Sequence, residues 1–444
     1  MSLRYVKSSM PTTIERYLGW CVHKAIARDK PAVVAIAGSV GKTSVRNALA
    51  LALSGHLAAE EFRTSQKNYN NELGVPLSVF ACAIPGRNPI KWLSLLIQSA
   101  LHAFGLKHLT MRYLILEMGA DHPGDMEYLT SIAPPHAAII TCLGPEHLEY
   151  FGTTEAAIKE ERVVLQKLPE DGEAILNADD PESWASRSLT KGEVVGFGKS
   201  PEAAVRIIRA DIVSDQEHPE ASGMDIELEI LRNHSRVLRL QGVYGEPHAY
   251  AVAAAISFLV AHDYLSEPAI EHLQEEYRGM PGRTRLVPGI KRTMLLDDSY
   301  NAQPQAMESA VKDLAHFPLP AEGRRIAVLG DMLELGQATQ EEHEKIGRLV
   351  AQSGVDILVT CGKLGRVIGQ AAAAAGMPQE SIHAFETSPE AGLFLQQEVI
   401  RQGDAVLIKG SQGIRMEKIT KELMADPLRA PELLVRQSED WLMR

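Results

Sequence analysis

The sequence has few cysteines, no excess of positive charge and no long hydrophobic run. Its four cysteines, in a chain of 444 residues, show no C-x-x-C spacing. This excludes a disulfide framework and a cysteine-based zinc site, and it is typical of a reducing compartment. The formal net charge is −12 and no long basic run occurs. We therefore expect no nucleic-acid partner, because binding a phosphate backbone requires a cationic surface.

The N-terminus lacks the charged, apolar and small-residue regions of a signal peptide. Two apolar stretches, residues 17–27 and 90–109, are interrupted by polar or charged residues. A membrane span requires about 18–20 uninterrupted apolar residues, so we predict no transmembrane helix and a cytoplasmic protein. The second stretch carries Lys91, Lys107 and His108 near its ends. It is interpreted either as a helix packed on the protein surface or as a helix in peripheral contact with a membrane.

The order of apolar runs predicts the fold class. The composition, 45% hydrophobic and 23% charged, is typical of a globular protein of two or three domains. Strand-like runs alternate with helical patterns, which predicts a mostly parallel sheet covered by helices. The predicted strands of this first series are residues 32–37, 113–116, 137–141 and 174–176. Residues 205–240 alternate in polarity and predict an antiparallel β excursion, and the alanine-rich residues 249–261 predict a close-packed helix.

A second αβ series follows a glycine-rich segment at residues 279–283, which we take as a domain boundary. The predicted strands of this series are residues 293–296, 326–329, 357–360 and 405–408. The fold prediction is therefore an α/β protein: a P-loop-type central domain, then a C-terminal doubly wound, Rossmann-like domain. The predicted segments are residues 1–30 (an amphipathic N-terminal segment), 31–282 and 283–444.

A glycine-bounded loop with the sequence GSVGKTS, residues 38–44, follows the first predicted strand and precedes a helical pattern. Backbone N–H groups and a helix N-terminus at such a loop bind phosphate, Lys42 adds a positive charge, and Thr43 can reach a magnesium ion. The loop is shorter than a complete P-loop, because Ile36 stands where the first glycine is required. An ordinary strand-to-helix turn is the alternative, but the flanking strand and helix favour a nucleotide phosphate.

Polar residues end two further predicted strands of the first series. Glu117 closes one strand, and His147 follows the next. Because the carboxyl ends of parallel strands meet at one sheet edge, both belong near the phosphate loop. Glu117 is then placed to hold magnesium, and His147 to hold a second metal or to orient a ligand. A solvated glutamate and a structural histidine are the alternatives.

Four more polar clusters precede helices or end strands. Asn70 and Asn71 stand before a predicted helix. Their side-chain amides either bind a polar substrate or only form a loop. In the second series, polar residues follow three apolar runs: residues 297–301, 330–332 and 409–411. Each is explained singly by turn chemistry, but together they predict a functional sheet edge that closes over the first domain.

These motifs, taken in order, resemble those of the Mur ligases, and most closely the branch that adds D-alanyl-D-alanine. The matching segments are residues 38–44, 70–76, 116–120, 147–152, 177–180, 297–302, 330–336, 409–411 and 416–417. The resemblance implies amide formation that uses ATP and Mg²⁺: ATP phosphorylates a carboxylate, and the amine of an amino acid or dipeptide attacks the acyl phosphate. The implied substrates are small molecules, a muramoyl-peptide-like carboxylate and the amine. The implied state is a monomer.

The resemblance also assigns roles to residues. The implied catalytic residues are Lys42, Glu117, His147 and Glu161. The implied nucleotide-binding residues are Gly38, Ser39, Val40, Gly41, Lys42, Thr43, Ser44, Arg283, Asp298 and Asn301. The implied substrate-binding residues are Asn70, Asn71, Lys409 and Ser411. The implied metal ligands are Thr43, Glu117 and His147.

The sequence departs from the family pattern at three places. Family members usually carry a CO₂-carbamylated lysine shortly after the His-Leu-Glu motif, where this chain has Glu161 in an ungapped register and Lys159 if the register slips. We hypothesise that Glu161 supplies the carboxylate directly. The family's His-Asn pair for adenine is missing, and His248 is a candidate substitute. About 30 residues precede the loop, so we expect the family's N-terminal UDP-binding domain to be missing.

Three functional interpretations stay open at this point. The leading one is a peptidoglycan-precursor ligase that adds D-alanyl-D-alanine to a UDP-muramoyl-peptide. The second keeps the ATP chemistry and changes the carboxylate acceptor. The third is a catalytically weakened nucleotide-binding scaffold, which Glu161 in place of lysine favours. The residues that oppose it are Lys42, Thr43, Glu117, His147 and Asp298.

Overall fold

The structure, a computed structural model, describes residues 12–65, 69–86, 88–145, 148–215, 217–438 and 441. The chain forms two compact units. The first unit comprises residues 1–208, 228–236 and 250–276, and the second comprises residues 209–227, 237–249 and 277–444. The α/β class is confirmed. The boundary at residues 279–283 and the three segments stay predictions.

The larger sheet has nine strands in the order β2-β3-β1-β4-β5-β6-β7-β8-β9. The strands are β1 (Ala32–Ala37), β2 (Phe62–Thr64), β3 (Tyr113–Glu117), β4 (Ala137–Ile140), β5 (Glu173–Asn177), β6 (Glu193–Gly198), β7 (Val205–Val213), β8 (Gly223–Ile230) and β9 (His234–Gln241). The pairings from β2 through β7 are parallel. Strand β1 lies between β3 and β4, so the ends of these three strands are neighbours at one edge of the sheet.

Helices connect and cover these strands. They are α1 (Thr13–Asp29), α2 (Lys42–Ser54), α3 (Gly74–Val79), α4 (Pro89–Ala103), α5 (Asp125–Ile132), α6 (Leu148–Phe151), α7 (Thr154–Glu161), α8 (Val163–Gln166), α9 (Pro181–Ala185), α10 (Glu246–Ala261) and α11 (Glu267–Glu276). The sequence explains several starts. Thr12 and Glu15 form a capping box on α1, and Asn88 caps α4, whose first residue is Pro89.

The second sheet has six strands in the order β10-β11-β15-β12-β13-β14. They are β10 (Arg285–Pro288), β11 (Met294–Asp298), β12 (Arg325–Gly330), β13 (Ile357–Cys361), β14 (Ile382–Phe385) and β15 (Ala405–Lys409). The helices of this part are α12 (Pro304–His316), α13 (Thr339–Gln352), α14 (Gly365–Ala374), α15 (Ser388–Phe394), α16 (Glu417–Leu423) and α17 (Ala430–Leu433). Strand β10 is antiparallel to β11, and the remaining pairings are parallel.

Apolar cores lie on both faces of the second sheet. Met307, Val311 and Ile346 belong to one buried cluster, and Leu395 and Ile419 belong to another. In the first unit, the apolar face of α1 packs with β1 and β3 through Val22, Ala25 and Leu114. Helix α1 is the predicted N-terminal amphipathic helix, so one of its faces serves as a core surface.

The predicted strand runs are confirmed, but most of their ends shift. Strands β3, β11 and β15 extend to Glu117, Asp298 and Lys409, so these polar residues are the last paired residues of their strands. Strand β4 instead ends one residue early, at Ile140. Strands β2, β6, β10 and β14 were not predicted, because each is short or partly polar. The segment at residues 205–240 forms three strands, β7, β8 and β9, as its alternation predicts.

Candidate functional site

The loop between β1 and α2 has the backbone that a phosphate-binding turn requires. Gly38 and Gly41 have φ angles of +121° and +93°, which residues with a Cβ rarely adopt. A Cβ on Gly38 would also lie 2.4 Å from Thr141 Oγ1 of the segment after β4. The glycines therefore allow both the turn and the close approach of the neighbouring strand end.

Part of the loop's hydrogen-bonding capacity is used inside the protein. Ser39 N donates to Cys142 O at 2.8 Å, and Lys42 Nζ donates to Gly38 O. Helix α2 begins at Lys42, so its first-turn N–H groups and its positive dipole end lie directly after the loop. The binding of phosphate by this loop stays a prediction, and the start of α2 is where we expect it.

Glu117 lies against α2, as its position at the end of β3 predicts. Thr43 Oγ1 donates to Glu117 Oε2 at 3.1 Å, and the guanidinium of Arg46 forms an ion pair with Glu117 Oε1 at 2.9 Å. The side chains of Arg46 and Glu117 are 6% and 2% exposed, so the ion pair is buried. Arg46 was not predicted from the sequence; the available signal was that Arg46 and Lys42, one turn apart, are the charged residues of α2.

A hydroxyl and a carboxylate oxygen 3.1 Å apart are suited to Mg²⁺, which prefers hard oxygen ligands and completes its coordination with phosphate oxygens and water. Thr43 and Glu117 are therefore the residues that would hold the ion. Among the residues that the structure describes, no three His, Cys, Asp or Glu side chains converge as a metal site. His147, the third predicted ligand, lies outside the described residues.

Glu161 also reaches the loop. It is the last residue of α7, it is 5% exposed, and its Oε2 accepts a hydrogen bond from Gly38 N at 2.8 Å. Lys159, the residue that a slipped register would favour, is exposed. The structure thus brings a buried carboxylate to the phosphate loop at the residue that the ungapped register indicated.

The two predicted asparagines have different surroundings. Asn70 O accepts from Gly119 N at 3.0 Å, so Asn70 lies beside the segment that follows Glu117. Asn71 Oδ1 accepts from Gly74 N, the first residue of α3, at 2.9 Å. The Asn71 side chain therefore stabilises a turn, which was the alternative interpretation of this motif. Substrate binding by either residue stays a prediction.

Strand β5 supports the loop from the next position in the sheet. Asn177 Nδ2 donates to Thr141 O at 2.8 Å, and Thr141 is the residue that a Cβ on Gly38 would meet. Asp179 accepts from Ser200 N at 2.7 Å and from the Tyr250 hydroxyl at 2.9 Å. Because these bonds hold the turns after β5 and β6, the motif at residues 177–180 has a structural role here.

In the second unit, the predicted residues at the ends of β11 and β15 are joined by an ion pair. Lys409 Nζ lies 2.5 Å from Asp298 Oδ2 and donates to Asn301 O at 3.0 Å. Asp298 and Lys409 are direct partners in the parallel register. The family resemblance implied that Lys409 binds an incoming substrate and that Asp298 binds the nucleotide. In the structure, the Lys409 ammonium already neutralises Asp298.

Ser411 and Arg283 lie close to the same strand ends. Ser411 Oγ accepts from Leu333 N at 2.9 Å and lies 3.4 Å from Ala302 O. The Arg283 guanidinium lies over the Tyr300 ring, 4.3 Å from its centroid. The hydroxyl and the guanidinium thus flank the segment that contains Asn301, whose side chain is exposed. Their roles toward substrate or nucleotide stay predictions.

His248 is not an available adenine ligand, which corrects the expectation from sequence. The residue is 1% exposed, its Nδ1 hydrogen-bonds the Tyr277 hydroxyl at 2.8 Å, and its Nε2 hydrogen-bonds Thr284 Oγ1 at 2.6 Å. Burial lowers the pKa of this histidine to about 4. Both ring nitrogens are therefore occupied within the protein, and the ring is neutral at physiological pH.

Two family models match the chain. The model described as Mur ligase middle domain matches residues 96–258, and the model described as Mur ligase, glutamate ligase domain matches residues 282–412. Among individual proteins, the UDP-N-acetylmuramoyl-tripeptide–D-alanyl-D-alanine ligase of Escherichia coli K12 is 30% identical over 395 residues. The match covers 88% of this chain and 76% of that relative.

Solved structures agree with this match. A crystal structure of MurF from Acinetobacter baumannii superimposes with a TM-score of 0.72 and 26% identity, covering 93% of this chain and 81% of that chain. The MurF ligase of Thermotoga maritima in complex with ADP has a TM-score of 0.72 at 23% identity, covering 94% and 86%, and shows a shared fold. With these matches and the arrangement of its phosphate loop, the chain belongs to the Mur ligase family.

Proposed function

We propose that this protein is an ATP-dependent ligase that adds D-alanyl-D-alanine to a UDP-N-acetylmuramoyl-tripeptide in peptidoglycan precursor synthesis. The observation that carries the proposal is the group of side chains at the phosphate loop. Thr43 and Glu117 lie 3.1 Å apart, and the Glu161 carboxylate lies 2.8 Å from Gly38 N. The choice of substrates follows from relatives such as the E. coli and Bacillus subtilis proteins, which are named UDP-N-acetylmuramoyl-tripeptide–D-alanyl-D-alanine ligases.

The proposed reaction has two steps. A carboxylate oxygen of the peptide substrate attacks the γ-phosphorus of ATP, which releases ADP and forms an acyl phosphate. The amine nitrogen of the dipeptide then attacks the acyl carbon, loses a proton, and the tetrahedral intermediate expels inorganic phosphate. Lys42 and the N-terminus of α2 stabilise negative charge that develops on the transferred phosphoryl group. Mg²⁺, when bound at Thr43 and Glu117, supplies further charge neutralisation.

The test is phosphate release from ATP with purified protein and matched substrate pairs, followed by mass spectrometry of the product. We expect release only when a UDP-muramoyl-tripeptide and D-alanyl-D-alanine are both present, with a product mass equal to their condensation. If phosphate is released only when another carboxylate replaces the UDP-muramoyl-tripeptide, the proposed acceptor is contradicted and the second interpretation is supported. Release under no condition would contradict the enzyme activity and support a nucleotide-binding scaffold.

We further propose that Glu161 supplies the carboxylate for which the family uses a carbamylated lysine. Its buried position at the end of α7 and its hydrogen bond from Gly38 N support the proposal. Glu161→Gln retains an oxygen that accepts this bond but removes the charge. We expect kcat to fall about 10- to 100-fold, as for residues that support a metal site.

The matched controls for this test lie on the same helix. Glu155→Gln removes an exposed carboxylate of α7, and Lys159→Ala removes the exposed lysine. We expect both to retain activity, and we expect wild-type turnover to be independent of added bicarbonate. If Lys159→Ala loses activity and Glu161→Gln retains it, the register is wrong and the carboxylate proposal is refuted.

We propose a cytoplasmic monomer with small-molecule substrates. The low cysteine content supports the compartment. None of the described helices is long and apolar enough to cross a bilayer. Sedimentation velocity of the purified chain tests the monomer: a single species of 48.6 kDa is expected, and a concentration-dependent dimer would contradict it.

A further inference from the structure

Helix α4 carries a stripe of exposed apolar residues on the face that points away from the core. The stripe has helical spacing and continues into the turn that follows the helix. We call it the α4 apolar face; its residues are Ile90, Leu93, Ile97, Leu101, Phe104 and Leu106. Each is between 37% and 77% exposed, and large apolar groups clustered in this way usually mark an interaction surface.

The opposite face of α4 is held firmly by the first unit. Leu95, Ser99 and His102 are buried, and Leu96 O accepts a hydrogen bond from the Tyr17 hydroxyl of α1 at 3.2 Å. Trp20 of α1, itself 42% exposed, lies beside Phe104 with ring centroids 5.9 Å apart. The apolar face is therefore presented by a packed helix, and Trp20 widens it.

The charge around this face is unusual for this chain. Residues 73–116 contain four Lys and Arg residues and no Asp or Glu, although the whole chain has a net charge of −12. Lys91, Lys107 and His108 are exposed near the two ends of the helix. Asp29, the nearby carboxylate of α1, accepts from Arg28 and His108, and these bonds lower its pKa. The α4 apolar face therefore has a cationic border.

We propose that the α4 apolar face docks on an anionic lipid surface, with the helix lying in the plane of the membrane interface. An apolar stripe bordered by lysines is the pattern of interfacial helices, and the anionic headgroups complement Lys91 and Lys107. The 15 residues of α4 span about 22 Å, less than the roughly 30 Å hydrocarbon core, so the helix lies on the membrane and does not cross it. The inference goes beyond the proposed function and does not depend on it.

The test is flotation of the full chain with two kinds of vesicle, phosphatidylcholine alone and phosphatidylcholine mixed with phosphatidylglycerol. We expect partition into the anionic vesicles that weakens as salt is added. The double variant Leu93→Glu/Ile97→Glu should lower the partition coefficient by roughly tenfold or more, because it places two charges in the α4 apolar face. Lys91→Gln and Lys107→Gln should each lower it about fivefold.

Leu428→Glu is the matched control, because Leu428 is 90% exposed in the second unit and outside the α4 apolar face. Its partition should equal that of the wild type, and the melting temperatures of all variants should confirm folding. Equal partition into both kinds of vesicle, or into neither, would overturn the proposal. A concentration-dependent dimer abolished by the double variant, without vesicle binding, would also overturn it and identify a second copy as the occupant.

Discussion

The buried ion pair between Arg46 and Glu117 allows a quantitative test of how the phosphate loop is supported. Arg46 lies one turn into α2, and Glu117 ends β3, so the pair joins two elements that flank the loop. Glu117 also accepts from Thr43, and Arg46 NH1 donates to Ser65 Oγ at 3.2 Å. We choose Arg46→Met, because methionine retains much of the volume of the side chain and removes its charge.

The expected magnitude follows from burial. Both side chains of the pair are at most 6% exposed, so solvent cannot replace the lost partner. Leaving one charge of a buried ion pair without its partner costs about 3–5 kcal/mol. In Arg46→Met, the Thr43 hydroxyl still donates to one carboxylate oxygen of Glu117, which places the expected loss near 3 kcal/mol at neutral pH. Glu117→Gln in the same background removes the isolated charge and should restore part of this loss.

The assay is urea unfolding monitored by tryptophan fluorescence, because three of the four tryptophans belong to the first unit: Trp20, Trp92 and Trp184. The four proteins of the cycle are the wild type, the two single variants and the double variant. We expect the double variant to be more stable than the sum of the single losses predicts, by about 0.5–3 kcal/mol. A loss below about 1 kcal/mol in Arg46→Met, or strict additivity, would refute the buried-pair reasoning.

Two further predictions concern charge in each unit. Lys42→Met should lower kcat of phosphate release about 100- to 1,000-fold, because it removes a cation at the transferred phosphoryl group; an unchanged kcat with an unchanged melting temperature would exclude this role. In the second unit, burial and the nearby carboxylates Glu246 and Asp298 raise the pKa of Asp313 to about 7. Because the folded state then holds its proton above the unfolded pKa of about 3.9, stability should fall as pH rises from about 4 to 7. Asp313→Asn should flatten this slope in thermal unfolding measured across the range, and an identical slope would contradict the assignment.

Much of the fold and part of the site were predictable from local patterns. The apolar runs and their alternation with helical patterns identify most of the parallel strands, because a strand buried on both faces must be apolar throughout its length. The parallel strands β2, β6 and β14 were missed. The glycines at residues 38 and 41 identify the loop, since positive φ angles are required there. The position of Glu117 at the same edge follows from a general property of parallel sheets, whose carboxyl ends meet. Most of the observed strand ends differ from the predicted ones by one or two residues, because pairing with a neighbouring strand decides where a strand ends.

Other features depend on which strands and helices become neighbours. The ion pair of Lys409 and Asp298 forms because β15 lies beside β11, although 111 residues separate them in the chain. The burial of His248 depends on Tyr277 and Thr284, which local sequence does not connect to it.

The element types, the loop and the residue types of a phosphate site could be read from the sequence, because they depend on backbone preferences and on periodicity over a few residues. The folded chain was needed to show that Arg46 neutralises Glu117, that Glu161 reaches Gly38 N, and that α4 leaves an apolar face exposed. Hydrogen bonds, ion pairs and burial depend on distances in space, and long-range packing of the chain sets these distances.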